Sequence, residues 1–259
     1  MSRVKDIENA LYTWAPKELA ADWDNVGHLV GDSEAEVKKI LVALDITEEV
    51  VNEAVEMGAD LIVAHHPVMN CRWHAVQSVR EDNAQGRILM KLIQKGISAI
   101  CMHTNLDAAE GGVNDILAQK LGLSDIELLG EDKIGRIGTL KCEIPLAEFL
   151  PCVVKSLSCN GLRYRDGGKP VLRVAVGGGA CDDYIGVAIE KGCDTFVTSD
   201  LSYHTFLDTH GLNLIDAGHF PTEDTVCPKL VSYLTEQFPE LTVTKSASHR
   251  EVIQYYIDK

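Results

Sequence analysis

Asp60-Leu61-Ile62-Val63-Ala64-His65-His66-Pro67 decides how this chain is read. Residues 61–64 are a short continuous apolar run behind a polar lead-in, the pattern of a strand buried on both faces. Pro67 forbids a helix directly after it. The strand therefore delivers two imidazoles at its carboxyl end, on opposite sides of the backbone. They can serve two neighbouring ligand positions, or one can ligate while the other supports. Imidazole suits zinc, iron, nickel or manganese. A His-His pair alone is more often structural or accidental than functional, so its weight depends on the rest of the chain.

The chain has 259 residues, 46% hydrophobic and 24% charged, enough for one large domain or two modest ones with a sizeable core. Its formal charge of −15 disfavours non-specific binding to nucleic acid or an anionic membrane. A metal ion can still reverse the local sign for a small anionic substrate. No apolar run reaches the ~18 residues of a membrane span, and the start, Met-Ser-Arg-Val-Lys-Asp-Ile, lacks a signal-peptide core. None of the eight cysteines forms a Cys-x-x-Cys pair, and several sit in apolar runs. Reduced core thiols and a cytoplasmic location are expected.

Taken in order, residues 3–14 have helical spacing at Val4, Ile7, Leu11 and Trp14, and Pro16 stops them. Residues 22–32 read as an ordered loop around Asp24-Asn25. A buried strand at 39–45 leads to a helix at 47–57, capped by Thr47 and closed by Gly58. After the His-His strand come an irregular stretch with Trp73 and His74, a helix at 84–95 burying Ile88, Leu89, Leu92 and Ile93, and a strand at 97–102 ending at His103. A loop through Asp107 precedes a helix at 113–121. The second half reads as strands at 134–141, 171–176, 195–198 and 212–217, with helices at 146–157, 182–191 and 223–237, a short helix at Tyr203-His204, and an outer strand at 250–258. Alternating βα units with short connections predict an α/β fold with largely parallel sheets.

A repeat is visible at a shift of 134 residues: Val42 falls on Val176, Ala54 on Ala188, Gly58 on Gly192, Asp60 on Asp194 and Val63 on Val197. With the shift shortened to 116, His103 falls on His219 and Asp107 on Glu223. Each half thus ends a strand with His-x-x-x-acid. Two pseudo-repeated α/β lobes, 1–128 and 129–259, would bring strand ends from both to one cleft, where ligand sites in such sheets lie. His65, His66, His103, Asp107, His219 and Glu223 occupy those ends. Four histidines and two carboxylates suit a two-metal site, with ions ~3.5–4 Å apart sharing a bridging ligand. The competing reading keeps these residues apart as satisfied polar groups. Gly177-Gly178-Gly179 is either an anion cradle or a tight βα turn; it lacks dinucleotide-binding spacing and a phosphate-loop lysine. Ser199-Asp200 with His204 evokes nucleophilic catalysis without a nucleophile elbow. Trp73 and His74 either line an entrance or cover the core.

Four motifs now carry a resemblance. They are Trp23-Asp24-Asn25-Val26-Gly27, Ala64-His65-His66-Pro67, the run from His103-Thr104-Asn105-Leu106-Asp107 to Gly111-Gly112-Val113-Asn114, and Gly218-His219 with Thr222-Glu223. Together the chain resembles the Nif-three-like dinuclear metal centre family, also called GTP cyclohydrolase I type 2 homologues. The resemblance implies two interlinked α/β lobes with the metal site between them. It also implies a toroidal homohexamer whose sites face an inner cavity. It carries the metal-ligand roles onto His65, His66, Asp107, His219 and Glu223, with Glu223 as the bridge, and a proton-moving or supporting role onto His103. His28 departs from the pattern, standing where members usually carry an apolar residue, so it bears on substrate choice if its loop lines the site. The Gly-Gly-Gly turn lacks the serine often beside it, and the inserted domain of longer members is missing.

The expected function is a hydrolase-like protein using two divalent ions (zinc, iron, manganese or nickel) and a bridging hydroxide on a nucleotide- or cofactor-like small molecule. GTP cyclohydrolase activity does not follow from the motifs. The alternative is a non-catalytic metal-binding protein in regulation or metal handling. No organic cofactor, membrane or nucleic-acid partner is expected.

Overall fold

A computed structural model describes residues 1–70 and 75–256. Trp73 and His74, and the last residues of the expected outer strand, lie outside the described residues. In chain order the elements are α1 (Val4–Trp14), β1 (Gly27–Val30), β2 (Lys39–Ala43), α2 (Glu48–Met57), β3 (Leu61–Ala64), α3 (Ala84–Lys95), β4 (Ser98–Cys101), α4 (Thr104–Ala108), α5 (Val113–Lys120), β5 (Ser124–Leu128), β6 (Arg136–Ile144), α6 (Leu146–Leu157), β7 (Arg163–Arg165), β8 (Val171–Ala180), α7 (Ile185–Glu190), β9 (Thr195–Ser199), α8 (Tyr203–Asp208), β10 (Asn213–Asp216), α9 (His219–Glu223), α10 (Cys227–Gln237) and β11 (Thr242–Lys245). They form two α/β units. The first comprises Met1–Ala109 and Val226–Arg250; the second is Glu110–Thr225 with the residues after 250. The chain thus leaves the first unit after α4 and returns to it with α10 and β11.

In the first unit the sheet order is β1-β4-β3-β2-β11. All pairs are parallel except the edge pair β1–β4. Apart from Lys39 and Ser98 at their starts, the central strands are apolar because both faces are covered. Leu41, Ala43, Ile62, Ala64, Ala99 and Cys101 share a core with Val50, Val51 and Ala54 of α2 and Ile88, Leu89 and Leu92 of α3. The alternate residues Ile40, Val42, Leu61, Val63 and Ile100 are buried as well. Thr47 caps α2 by accepting from Val50 N, and Gly58 closes it in the left-handed region. Ile93, expected on the inner face of α3, is 63% exposed. It sits one residue past Leu92, about 100° round the helix and away from the core.

The second sheet has the order β5-β6-β8-β9-β10-β7. Three parallel strands, β8, β9 and β10, are flanked by antiparallel β6, β5 and β7. The expectation of a largely parallel sheet fails here: β5 and β7 are short, polar and mostly exposed, so they carry no hydrophobic period. Side chains alternate faces along the central strands. Val174, Val176, Val197 and Ile215 pack with α5 and α6, whereas Ala175, Phe196 and Leu214 pack with Ala188 of α7.

Both units contain the same device. Asp60 Oδ2 accepts from the backbone N–H groups of Lys38 (2.7 Å) and Lys39 (2.9 Å), and Asp194 Oδ2 accepts from those of Leu172 (2.9 Å) and Arg173 (2.7 Å). These positions are related by the shift of 134. β2-α2-β3-β4 and β8-α7-β9-β10 share strand order and direction, which bears out the repeat.

Three local readings change. Residues 22–32 hold β1, in which His28 pairs opposite Ile100. The stretch after His103 is the helical turn α4 rather than a loop, closed by Leu106 N and Asp107 N donating to His103 O at 2.7 and 3.0 Å. Residues 251–256 form no strand; the outer strand is β11, paired in parallel with β2.

Gly31 follows β1 with φ +110°, and a Cβ there would lie 2.2 Å from Ser98 Oγ and 2.8 Å from Ser98 Cα. Gly31→Ala is therefore expected to cost at least about 2 kcal/mol, from backbone strain and a clash with β4 that no rotamer relieves. Urea unfolding of the two proteins checks this, and an unchanged midpoint would contradict it.

Candidate metal centre

The ladder of the first sheet continues past β3. His65 N donates to Ala43 O (3.3 Å) and His66 N to Leu44 O (2.9 Å). Beyond Ala64 the backbone bends, so the two rings do not diverge as strand alternation predicts. Their centroids lie 5.0 Å apart, and each lies within 5.6 Å of the His103 ring. One ring nitrogen from each of His65, His66 and His103 falls within 4.8 Å of the others.

Each ring is held by its Nδ1. His65 Nδ1 lies 2.7 Å from the carbonyl of Met102, and His66 Nδ1 lies 2.7 Å from Asp45 Oδ1. His103 Nδ1 is 2.9 Å from both oxygens of Asp24. A carbonyl and an ionised carboxylate only accept, so each Nδ1 carries the hydrogen and each Nε2 keeps its lone pair. Burial raises the Asp24 carboxyl, but hydrogen bonds from His103 and Thr104 outweigh it and bring the carboxyl down to about 2. Asp24 also accepts from Thr104 N at 3.0 Å. This gives the Trp-Asp-Asn motif its role: Asp24 holds His103, and Asn25 Nδ2 pins the loop to Met69 O at 2.7 Å.

The helical turn α4 places Asp107 one turn after His103. Asp107 Oδ1 stands 3.6 Å from His65 Nε2. That is longer than a hydrogen bond and about the spacing of two donors that share one ion at ~2.1 Å.

The second unit repeats the arrangement with different residues. Where the first has His65-His66, the second has Ser199-Asp200. Asp200 adopts φ +57° at the end of β9, and its Oδ2 accepts from His219 Nδ1 at 2.6 Å. His219 Nε2 is 2.9 Å from Glu223 Oε2, one turn on in α9. The nucleophile reading of Ser199, Asp200 and His204 therefore fails. Asp200 orients His219, while His204 packs edge-on against Tyr203.

Glycines 177–179 lie within β8 and make no anion cradle, because the N–H of Gly178 goes to Asn114 Oδ1 (2.8 Å) and that of Gly179 to Thr222 Oγ1 (3.0 Å). They provide close approach instead. A Cβ on Gly179 would lie 2.2 Å from Glu223 Oε1 and 3.1 Å from His219 Nε2.

The donor chemistry fits divalent metal: imidazole Nε2 atoms fixed through Nδ1, with carboxylates beside them. His219 shows the demand for positive charge. Burial alone would lower its pKa, yet the Glu223 charge and the Asp200 hydrogen bond push it up to about 11. In the first unit His65, His66 and His103 form a group that could hold a metal ion, with Asp107 beside His65, and in the second unit His219 and Glu223 stand together. The sequence reading gives Asp24 and Asp45 no role of their own and places Asp200 only in the nucleophile reading, although Asp45 and Asp200 follow strands as His65 follows β3.

A raised histidine pKa stabilises the native state fully below the usual 6.5 and loses that contribution as pH climbs toward about 11. Metal-free protein is accordingly expected to lose stability progressively over that window. His219→Gln should flatten the slope in urea unfolding followed from pH 6 to 10 (a range within the window just given). Equal slopes in both proteins would contradict the assignment.

Comparison with known proteins gives the family. The family model described as Duf34/NIF3 (NGG1p interacting factor 3) matches residues 2–251. A Clostridium perfringens protein named GTP cyclohydrolase 1 type 2 homolog is 36% identical over 257 residues, covering 95% of this chain and 97% of its own. The crystal structure of a Bacillus cereus protein related to NIF3 superposes with a TM-score of 0.91 at 25% identity, covering 99% of each chain. That of a Staphylococcus aureus hypothetical protein superposes with a TM-score of 0.88 at 30% identity, covering 98% of this chain and 99% of its own. The chain belongs to the Duf34/NIF3 (NGG1p interacting factor 3) family.

Proposed function

We propose that this protein is a hydrolase that uses two divalent ions on a nucleotide- or cofactor-like small molecule. His65, His66, Asp107, His219 and Glu223 would hold the ions. The observation that carries the reading is the Nδ1 anchoring of His65, His66 and His219, which leaves the Nε2 of each for coordination; at His219 an ion would displace the Nε2 proton. When bound, a pair of divalent ions supplies Lewis acidity at a phosphoryl or carbonyl oxygen and lowers the pKa of water at the site. His103 moves the proton: Asp24 fixes its ring through Nδ1, so its Nε2 can take a proton from an attacking group and return it to a leaving group. The relatives' name, GTP cyclohydrolase 1 type 2 homolog, favours a nucleotide-like substrate without defining the reaction. The assembly proposed is a homohexamer.

Metal content by elemental mass spectrometry tests this on protein purified without chelator or metal-affinity tag. About two equivalents per chain are expected. Glu223→Ala should lose at least one of them, along with all turnover on a panel of phosphoesters, amides and cyclic nucleosides. No metal, even after dialysis against zinc, manganese and iron, would overturn the metal reading. Two ions with no turnover on any panel would overturn the hydrolase and leave a metal-handling protein.

A further inference from the structure

Beyond the ligand set, a second histidine stands behind His66. The Asp45 carboxylate divides its two oxygens between two imidazoles: Oδ1 is 2.7 Å from His66 Nδ1, and Oδ2 is 3.0 Å from His249 Nε2. The three residues come from the ends of three adjacent parallel strands, β3, β2 and β11. His249 reaches this place because the chain returns to the first sheet. After β11, Ser246 N continues the ladder to Val42 O at 2.7 Å. The turn that follows is fastened to α2 through one carboxylate. Glu53 accepts from Ser246 Oγ (2.6 Å), Ala247 N (2.9 Å) and Ser248 N (3.0 Å), and His249 N closes back on Ser246 Oγ at 3.1 Å. The His249 side chain is 10% exposed, so it is packed in place rather than displayed.

We propose that His249 is a positioning residue for the metal ligand His66, acting through Asp45, an inference that rests on the reading of His66 as a ligand. A carboxylate held by one hydrogen bond can rotate about its Cβ–Cγ bond. Held at both oxygens, it has one orientation. The direction of Oδ1 then sets the plane of the His66 ring and keeps its hydrogen on Nδ1, so the lone pair stays on Nε2. Outer partners of this kind are worth 10–100-fold in metal affinity. Ordering of the 246–249 turn thereby becomes part of the centre, although it contributes no ligand.

The test uses full-length protein and two readouts. Imidazole 15N shifts of the metal-free protein report the His66 tautomer. Competition of zinc with a chromophoric chelator reports affinity. In wild type His66 is expected in the Nδ1–H form. His249→Ala should give a mixture of tautomers and zinc binding about 10–100-fold weaker. His249→Gln, whose amide can still donate to Asp45, should restore both. In an Asp45→Asn background His249→Ala should add less than about twofold, since the pathway is already cut. If His249→Ala does not fold, His249→Phe fills the space without donating and takes its place. An unchanged His66 tautomer with zinc affinity within about twofold of wild type, or a loss that is fully additive with Asp45→Asn, would overturn the proposal. The tautomer readout needs no metal. A tautomer response in a protein that binds no zinc would therefore overturn the metal reading and leave the positioning of His66 by His249 standing.

Discussion

A histidine can offer an ion one nitrogen only if something holds the other. In this chain an oxygen does so each time: the Met102 carbonyl for His65, Asp45 for His66, Asp24 for His103 and Asp200 for His219. The anchors are not decoration on a site that would form anyway. Without them each ring would populate two tautomers and several orientations, and the convergence of Nε2 atoms would be lost. Much of the surrounding architecture serves these oxygens. β2 ends where Asp45 is needed, the Trp-Asp-Asn loop is pinned to deliver Asp24, and Asp200 takes a left-handed backbone conformation at the end of β9.

The two units show how one device was put to two uses. Each has three parallel strands in the same order, each fastens its first two strands through an aspartate (Asp60 or Asp194), and each ends its third strand in a histidine that starts a helical turn carrying an acid. They diverge at the end of the second strand. The first unit places His65 and His66 there, whereas the second places Ser199-Asp200 and uses the aspartate to hold His219. Glycines 177–179 complete the second version, because a side chain at 179 would occupy the space of Glu223.

Much of this was legible in the sequence, for physical reasons. Buried parallel strands are continuous apolar runs, so β2, β3, β4, β8, β9 and β10 stand out, and the Thr47 cap and Gly58 close mark α2 to the residue. Histidines at strand ends follow directly from those strands. Edge strands were not legible: β5 and β7 are short and mostly exposed, and hydrogen bonding to a neighbour rather than an apolar face defines them. The same applies to β11, and no composition change marks the return of the chain at residue 226. The roles of Asp45 and Asp200 were not legible because an aspartate after a strand looks like a solvated loop residue until its partner is known, and Asp24 lies in a loop before β1. The bend that brings the His65 and His66 rings together was not legible, because alternation holds only while the strand lasts, and it ends at Ala64.

The most direct test is anomalous diffraction at the zinc edge from crystals of the full chain grown with zinc. The account predicts two zinc ions per chain, bonded to His65, His66 and His219 through Nε2, with Asp107 and Glu223 coordinating and the Nδ1 contacts to Met102, Asp45 and Asp200 intact. Coordination through Nδ1 with those contacts broken, or no zinc at these residues, would contradict it.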